Sequence, residues 1–155
     1  MRRRLIHLLP VSLCALVACG GDEGKPAAPR PAAPPAKADE TVALTLGEEN
    51  RSGISGTATL KGGERGFTVV LVMKRPKDVG PAHIHNVTCE KYRALEGFDA
   101  QLATVEEALR DVLAGKSKTR VDKALSRYRT AGFSINVHSY VGTFPVVACA
   151  DIPRG

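Results

Sequence analysis

Phe133-Ser-Ile-Asn-Val-His138 is a stretch in which apolar and polar residues alternate strictly. Successive side chains of an extended strand point to opposite faces of a sheet, so Phe133, Ile135 and Val137 are expected to face a core. The stretch therefore predicts a β-strand that is buried on one face. It also predicts that His138 lies on the other face, which leans toward solvent.

Other runs with β character precede and follow the middle of the chain. Strands are predicted over 41–46, 56–60, 67–73, 82–88 and 146–152, with a loop or hairpin turn over 61–66 and a short strand over 118–121. These runs predict an all-β fold, an antiparallel sandwich or barrel.

The middle of the chain carries a different signal. Thr104-Val-Glu-Glu107 fits a capping box, and Val105, Leu109 and Val112 recur at helical spacing until Gly115. This pattern predicts a helix at about 105–114, and a helical turn is expected over 122–128. The predicted fold is thus a β-sandwich or barrel with a helical insertion around 105–128.

Residues 1–18 are predicted to be a lipoprotein signal peptide. Met1-Arg-Arg-Arg4 is basic, an apolar run follows, and Leu16-Val-Ala-Cys19 resembles the lipobox at which bacterial signals are cut before an acylated cysteine. The acyl chains on Cys19 would anchor the protein in the bacterial cell envelope, in an outer membrane facing the periplasm or at the cell surface. The alternative is ordinary secretion, with Cys19 merely near the cut.

The rest of the chain divides into a tether and one domain. Residues 19–40 hold five prolines and no apolar periodicity, so they are expected to be a disordered Pro/Ala-rich tether, and 41–155 the folded domain. The formal charge of the 155 residues is +6, and three of the 22 Lys and Arg leave with the signal, so 19 against 16 Asp and Glu gives +3. That surplus is too small to indicate a nucleic-acid partner.

Processing also limits the residues available for chemistry. Three histidines remain, His83, His85 and His138, and on strands the first two share one face while Ile84 takes the other. Three converging neutral imidazoles would suit copper or zinc, whereas the alternative is strand histidines that never meet. Once Cys14 is removed and Cys19 acylated, the two remaining cysteines are expected to form one disulfide, with two free thiols as the alternative. These two are Cys89 and Cys149.

Four ordered segments resemble landmarks of the copper/zinc superoxide dismutases and their relatives. They are Gly53-Ile-Ser-Gly-Thr-Ala-Thr-Leu60, Gly80-Pro-Ala-His-Ile-His85, Ile135-Asn-Val-His138 and Val147-Ala-Cys-Ala-Asp-Ile152. A similar pattern occurs in small bacterial lipoproteins and chordin-type domains. The resemblance implies a Greek-key β-sandwich, with His83, His85 and His138 as copper ligands and Cys89 bonded to Cys149.

The sequence also departs from the enzymes it resembles. In the two-metal enzymes of the resembled family, one histidine bridges copper and zinc, and further histidines bind the zinc. Residues 90–132 contain no histidine, so neither is available here, and zinc is not expected. Val146 stands at the position of the arginine that guides superoxide, and Ala150 at that of a glycine. Without that positive charge, efficient dismutation is not expected.

Three functions follow from these residues. The first is a membrane-anchored lipoprotein that binds one copper ion through three histidines without efficient dismutation. The second is a copper-only dismutase-like enzyme that uses the same ligands, since three imidazoles permit copper to change oxidation state. The third is a metal-free envelope module that contacts a protein partner through its helical insertion.

Overall fold

The fold is built from eight strands that form one antiparallel sheet. The computed structural model describes residues 39–75, 77–130 and 132–155. The strands are β1 (Glu40–Glu48), β2 (Ser55–Gly63), β3 (Gly66–Lys74), β4 (Val79–His85), β5 (Val105–Leu109), β6 (Lys116–Val121), β7 (Ser134–Ser139) and β8 (Val146–Asp151). The short helices are α1 (Cys89–Arg93), α2 (Phe98–Leu102) and α3 (Leu125–Tyr128).

The strand order is β5-β4-β7-β8-β1-β2-β3-β6, so β3 pairs with β6 and β4 with β7. The two edge strands approach each other where the backbone N–H of Arg110 donates to Thr119 Oγ1 at 2.8 Å and Ser117 Oγ donates to Arg110 O at 2.9 Å. The sheet thus nearly closes into a barrel. The predicted all-β Greek-key sandwich or barrel is confirmed at the level of fold class.

One face of each strand fills the core, as the alternation predicts. Leu60 on β2, Leu71 on β3, Ile84 on β4 and Ile135 on β7 are fully buried in one continuous cluster. Tyr128 of α3 packs its ring edge-on against Phe67 at 5.2 Å and closes one end of this cluster. Strands β4 and β7 pair side by side over this core, with Ile84 opposite Ile135.

The predicted helix at 105–114 is wrong, because residues 105–109 form strand β5. This strand pairs with β4, with Leu109 opposite Ala82. The pairing gives hydrogen-bond partners to backbone N–H and C=O groups at the edge of β4, which a helix over 105–114 would have left unpaired. Thr104 does not cap a helix, since its hydroxyl donates to the carbonyl of Gln101 at 2.7 Å. The helical turn predicted over 122–128 is confirmed as α3.

The helical part of the chain lies earlier than predicted, in the connection between β4 and β5. The strand expected over 82–88 ends at His85, and Thr88 caps α1 by accepting a hydrogen bond from the backbone N–H of Lys91 at 3.2 Å. Both α1 and α2 belong to this connection. It crosses the outer face of β4 and β7, where the histidines lie.

Candidate metal centre

The register of β4 and β7 brings the three histidines together. His83 lies opposite Asn136, and His138 is two residues further along β7, so all three histidines project from the face opposite Ile84. The ring centroids are 5.1 Å apart for His83 and His138, 5.6 Å for His83 and His85, and 5.9 Å for His85 and His138. The prediction that they converge is confirmed, and the alternative that they never meet is excluded.

The nitrogens of the three rings are close enough to bind one ion. One nitrogen from each ring lies within 4.8 Å of a nitrogen from each of the others. Nitrogens that bind the same ion at about 2 Å can be at most about 4 Å apart. Metal binding therefore requires only a small movement of the three rings toward one another.

Hydrogen bonds determine which nitrogen of His85 carries the proton. Its Nδ1 lies 2.9 Å from Oγ1 of Thr104. The single hydroxyl proton of Thr104 is already donated to the carbonyl of Gln101. Thr104 must therefore accept from His85, which leaves the lone pair of the neutral ring on Nε2.

His138 has the same tautomer for a simpler reason. Its Nδ1 lies 2.8 Å from the backbone carbonyl oxygen of Phe144, and a carbonyl can only accept. Outer hydrogen bonds of this kind orient metal-binding histidines and raise their basicity. Both rings thus present Nε2 as the free ligand atom.

The free nitrogens are buried. Among the described residues, His83 Nδ1, His85 Nε2 and His138 Nε2 are buried atoms with no hydrogen-bond partner, one from each ring. A buried polar atom without a partner costs free energy, and native structures contain few of them. Three unpartnered ring nitrogens at one place indicate a site that a cation can complete.

Burial also keeps the imidazoles neutral at physiological pH. Burial lowers the pKa of His83 to about 4, assisted by the neighbouring His138 and opposed by Asp111. Burial lowers the pKa of His85 to about 3, again assisted by the other two rings. It also lowers the pKa of His138, against the hydrogen bond to Phe144. Neutral rings are the form that binds metal, so protons do not compete with a cation near pH 7.

The connection between β4 and β5 covers the cluster, which the sequence did not predict. His85 is only 1% exposed and His138 only 6%, although their faces were expected to lean toward solvent. The ring of Tyr92 on α1 packs edge-on against His85 at 4.7 Å, and its hydroxyl donates to Gln101 Oε1 at 3.2 Å. Burial raises the pKa of Tyr92 to about 12, so this covering group is a neutral phenol.

A disulfide holds this cover in place. Cys89, the first residue of α1, is bonded to Cys149 on β8, with Cα atoms 6.0 Å apart, as predicted. The backbone N–H of Cys89 also donates to Asp151 Oδ1 at 2.6 Å. Val146 is buried against Tyr92 and the disulfide. The predicted cysteine pair therefore positions the cover of the site.

A pocket of about 220 Å³ opens onto the three rings. Its remaining walls are mostly apolar, and they are formed by Pro81, Phe98, Leu102, Val105 and Phe144. Sequence reasoning missed these residues, as it missed Tyr92 and Thr104, because nothing in their local pattern places them near a histidine. An ion held by the three histidines would be reached from this pocket.

The fold and the centre together define a nearly closed, barrel-like antiparallel sheet with three histidines that could hold a metal ion. No family model matches this chain, and neither a curated protein nor a solved structure does. The likeness to superoxide dismutases therefore stays a prediction from the sequence. The predicted lipidation site Cys19, the signal peptide predicted over 1–18 and residues 19–38 of the predicted tether lie outside the described residues. Within the part that is described, no helix is long and apolar enough to cross a membrane.

Proposed function

We propose that the protein is a lipid-anchored envelope protein that binds one copper ion through His83, His85 and His138 and does not dismutate superoxide efficiently. The observation that carries the copper site is the set of three buried, unpartnered nitrogens that converge from three neutral rings. In two of those rings, outer hydrogen bonds already fix the tautomer that binding needs.

Copper is favoured over zinc by the chemistry of the ligands. For a given set of nitrogen ligands, divalent copper binds more tightly than divalent zinc. Catalytic zinc sites also have three protein ligands, so the preference for copper rests on this difference in affinity. We expect copper to displace zinc from this site when both ions are present at equal concentration.

The experiment is a metal titration of the full chain, purified in a mild detergent. Wild type should take up one copper ion per chain, and His83→Gln, His85→Gln and His138→Gln should each weaken uptake strongly. The triple replacement serves as the background, with its fold checked by circular dichroism. If wild type binds no more copper than the triple replacement, the proposal is wrong.

The anchor is proposed from the Leu16-Val-Ala-Cys19 motif alone. Mass spectrometry of the N-terminal peptide from the producing bacterium should show Cys19 as the first residue, carrying acyl chains. Cleavage at another position, or an unmodified Cys19, would contradict this part of the proposal.

A copper-only dismutase is the second candidate, and the open pocket favours it because small molecules can reach the ligands. Against it stands the lining, since none of the described residues that form this pocket is Lys or Arg. An anion such as superoxide therefore meets no protein cation at the entrance. Turnover well above that of free copper, abolished by His138→Ala, would establish the enzyme instead.

A further inference from the structure

We infer that the pocket above the three histidines is a binding site for a small, neutral aromatic molecule that donates one atom to the metal. This inference rests on the proposed copper site and adds the chemical class of its ligand. It is carried by the size, lining and exposure of the pocket.

The volume of the pocket limits the ligand to about one ring system. An apolar cavity of about 150 Å³ is large enough for benzene, whereas pockets for drug-sized ligands begin at about 300 Å³. At about 220 Å³, this pocket is suited to a substituted or fused ring. A single aromatic metabolite has this size, and a nucleotide does not.

The lining selects against charge. No described residue that lines the pocket is Lys, Arg, Asp or Glu, and outside the histidines its polar groups are those of Tyr92 and Gln101. The charge that acts on this end of the site is that of Asp111, which interacts with His83 and repels anions. Away from the metal, a charged group would lose its hydration among these walls without a counter-charge, so the part of the ligand that contacts the lining is neutral.

The rim of the pocket presents apolar side chains to water. Phe98 is 55% exposed, Leu102 is 53% exposed and Phe144 is 44% exposed, and all three line the pocket. An aromatic ring placed among them would remove apolar surface from water on both sides of the contact. This burial supplies the affinity, while the metal supplies the orientation.

The copper of the proposed site provides the polar anchor. Three protein nitrogens leave a coordination position for an outside ligand, as in other three-ligand metal sites. All three rings line the pocket, so a ligand in the pocket can reach an ion that they hold. A nitrogen or oxygen atom on the ring is therefore the feature that distinguishes this ligand from a plain hydrocarbon.

The test compares imidazole with benzimidazole, which offer the same donor nitrogen and differ by a fused apolar ring. Each is titrated into the copper-loaded full chain, with binding followed by the visible absorption of Cu(II) and copper content measured before and after. Benzimidazole should bind at least about tenfold more tightly, which corresponds to about 1.4 kcal/mol. The replacement of both Phe98→Ser and Leu102→Ser should reduce that preference below about threefold, because benzimidazole loses more apolar contact than imidazole does, and it should leave copper binding unchanged.

Val72→Ser is the matched control, because Val72 is 41% exposed on β3 and does not line the pocket. Its variant should keep the full preference. Equal binding of the two probes to the loaded wild type, or an undiminished preference in the double replacement, would overturn this inference and leave the copper site standing. Failure of the wild type to take up copper would overturn the proposed function and this inference with it.

Discussion

Replacement of Thr104 by valine should weaken copper binding without touching a copper ligand. Thr104 accepts the Nδ1–H of His85 at 2.9 Å and so fixes the free lone pair on Nε2. Valine has a similar shape but no acceptor, so the His85 ring, which is 1% exposed, would bury an unpaired N–H. That loss should lower the free energy of unfolding of the metal-free protein by about 1–3 kcal/mol.

The same change should lower copper affinity by about 10- to 100-fold, the usual effect of losing an outer hydrogen bond to a metal-binding histidine. Affinity is measured by competition with a coloured copper chelator, and stability by urea unfolding of the metal-free chain. Thr104→Ser keeps the hydroxyl and is the control, with affinity expected within about threefold of wild type. If Thr104→Val also stays within about threefold, the assignment of the His85 tautomer is wrong.

Three further predictions concern the cover and the acid response of the site. Tyr92→Phe keeps the ring against His85 and should leave copper affinity, measured by chelator competition, unchanged. Tyr92→Ala removes the ring and should lower the free energy of unfolding, measured in urea, by about 3–5 kcal/mol. Replacing both Cys89 and Cys149 by serine opens a loop of 60 residues and should cost about 4 kcal/mol in urea unfolding, and a loss below about 1 kcal/mol would contradict this. Burial lowers the pKa of His83 to about 4 and that of His85 to about 3, below the ordinary 6.5, so the unfolded chain binds more protons than the folded one. The metal-free chain should therefore keep this contribution to its stability above pH 6.5 and lose it as the pH falls toward 4. A melting temperature of the wild type that is flat between pH 7 and pH 4 would refute this. So would a melting temperature that falls equally in the triple His→Gln variant.

The strands that carry the ligands were predictable because their signal is local. The alternation from Phe133 to His138 and the His-x-His pair on β4 each depend only on neighbouring residues. Their meeting depends on the register that places His83 opposite Asn136, and this register is set by contacts between distant parts of the chain. The sequence could therefore name the ligands but left open whether they converge.

The helix expected at 105–114 shows how a local pattern can mislead. Thr104 and Glu107 have the spacing of a capping box, yet the edge of β4 offered residues 105–109 a pairing partner that no local rule detects. Thr104 instead bonds to His85 and Gln101, so the residue that was predicted to cap a helix belongs to the candidate metal centre.

The sequence could not predict the cover of the site for a related reason. Tyr92 lies three residues after Cys89, and the bond to Cys149, together with the hydrogen bond from Cys89 to Asp151, holds α1 over the histidines. The disulfide was predicted, but its position relative to His85 and His138 requires the three-dimensional course of β8 and β7. The number of cysteines can thus predict the disulfide, but it cannot predict which residues lie next to that disulfide in the fold.

The most direct measurement is a crystal structure of the copper-loaded chain with anomalous scattering recorded at the copper edge. One copper peak is expected at about 2 Å from His83 Nδ1, His85 Nε2 and His138 Nε2, with Thr104 and Phe144 still bonded to the opposite nitrogens. A copper-soaked crystal with no peak among the three rings, or with its peak at another site, would contradict the account.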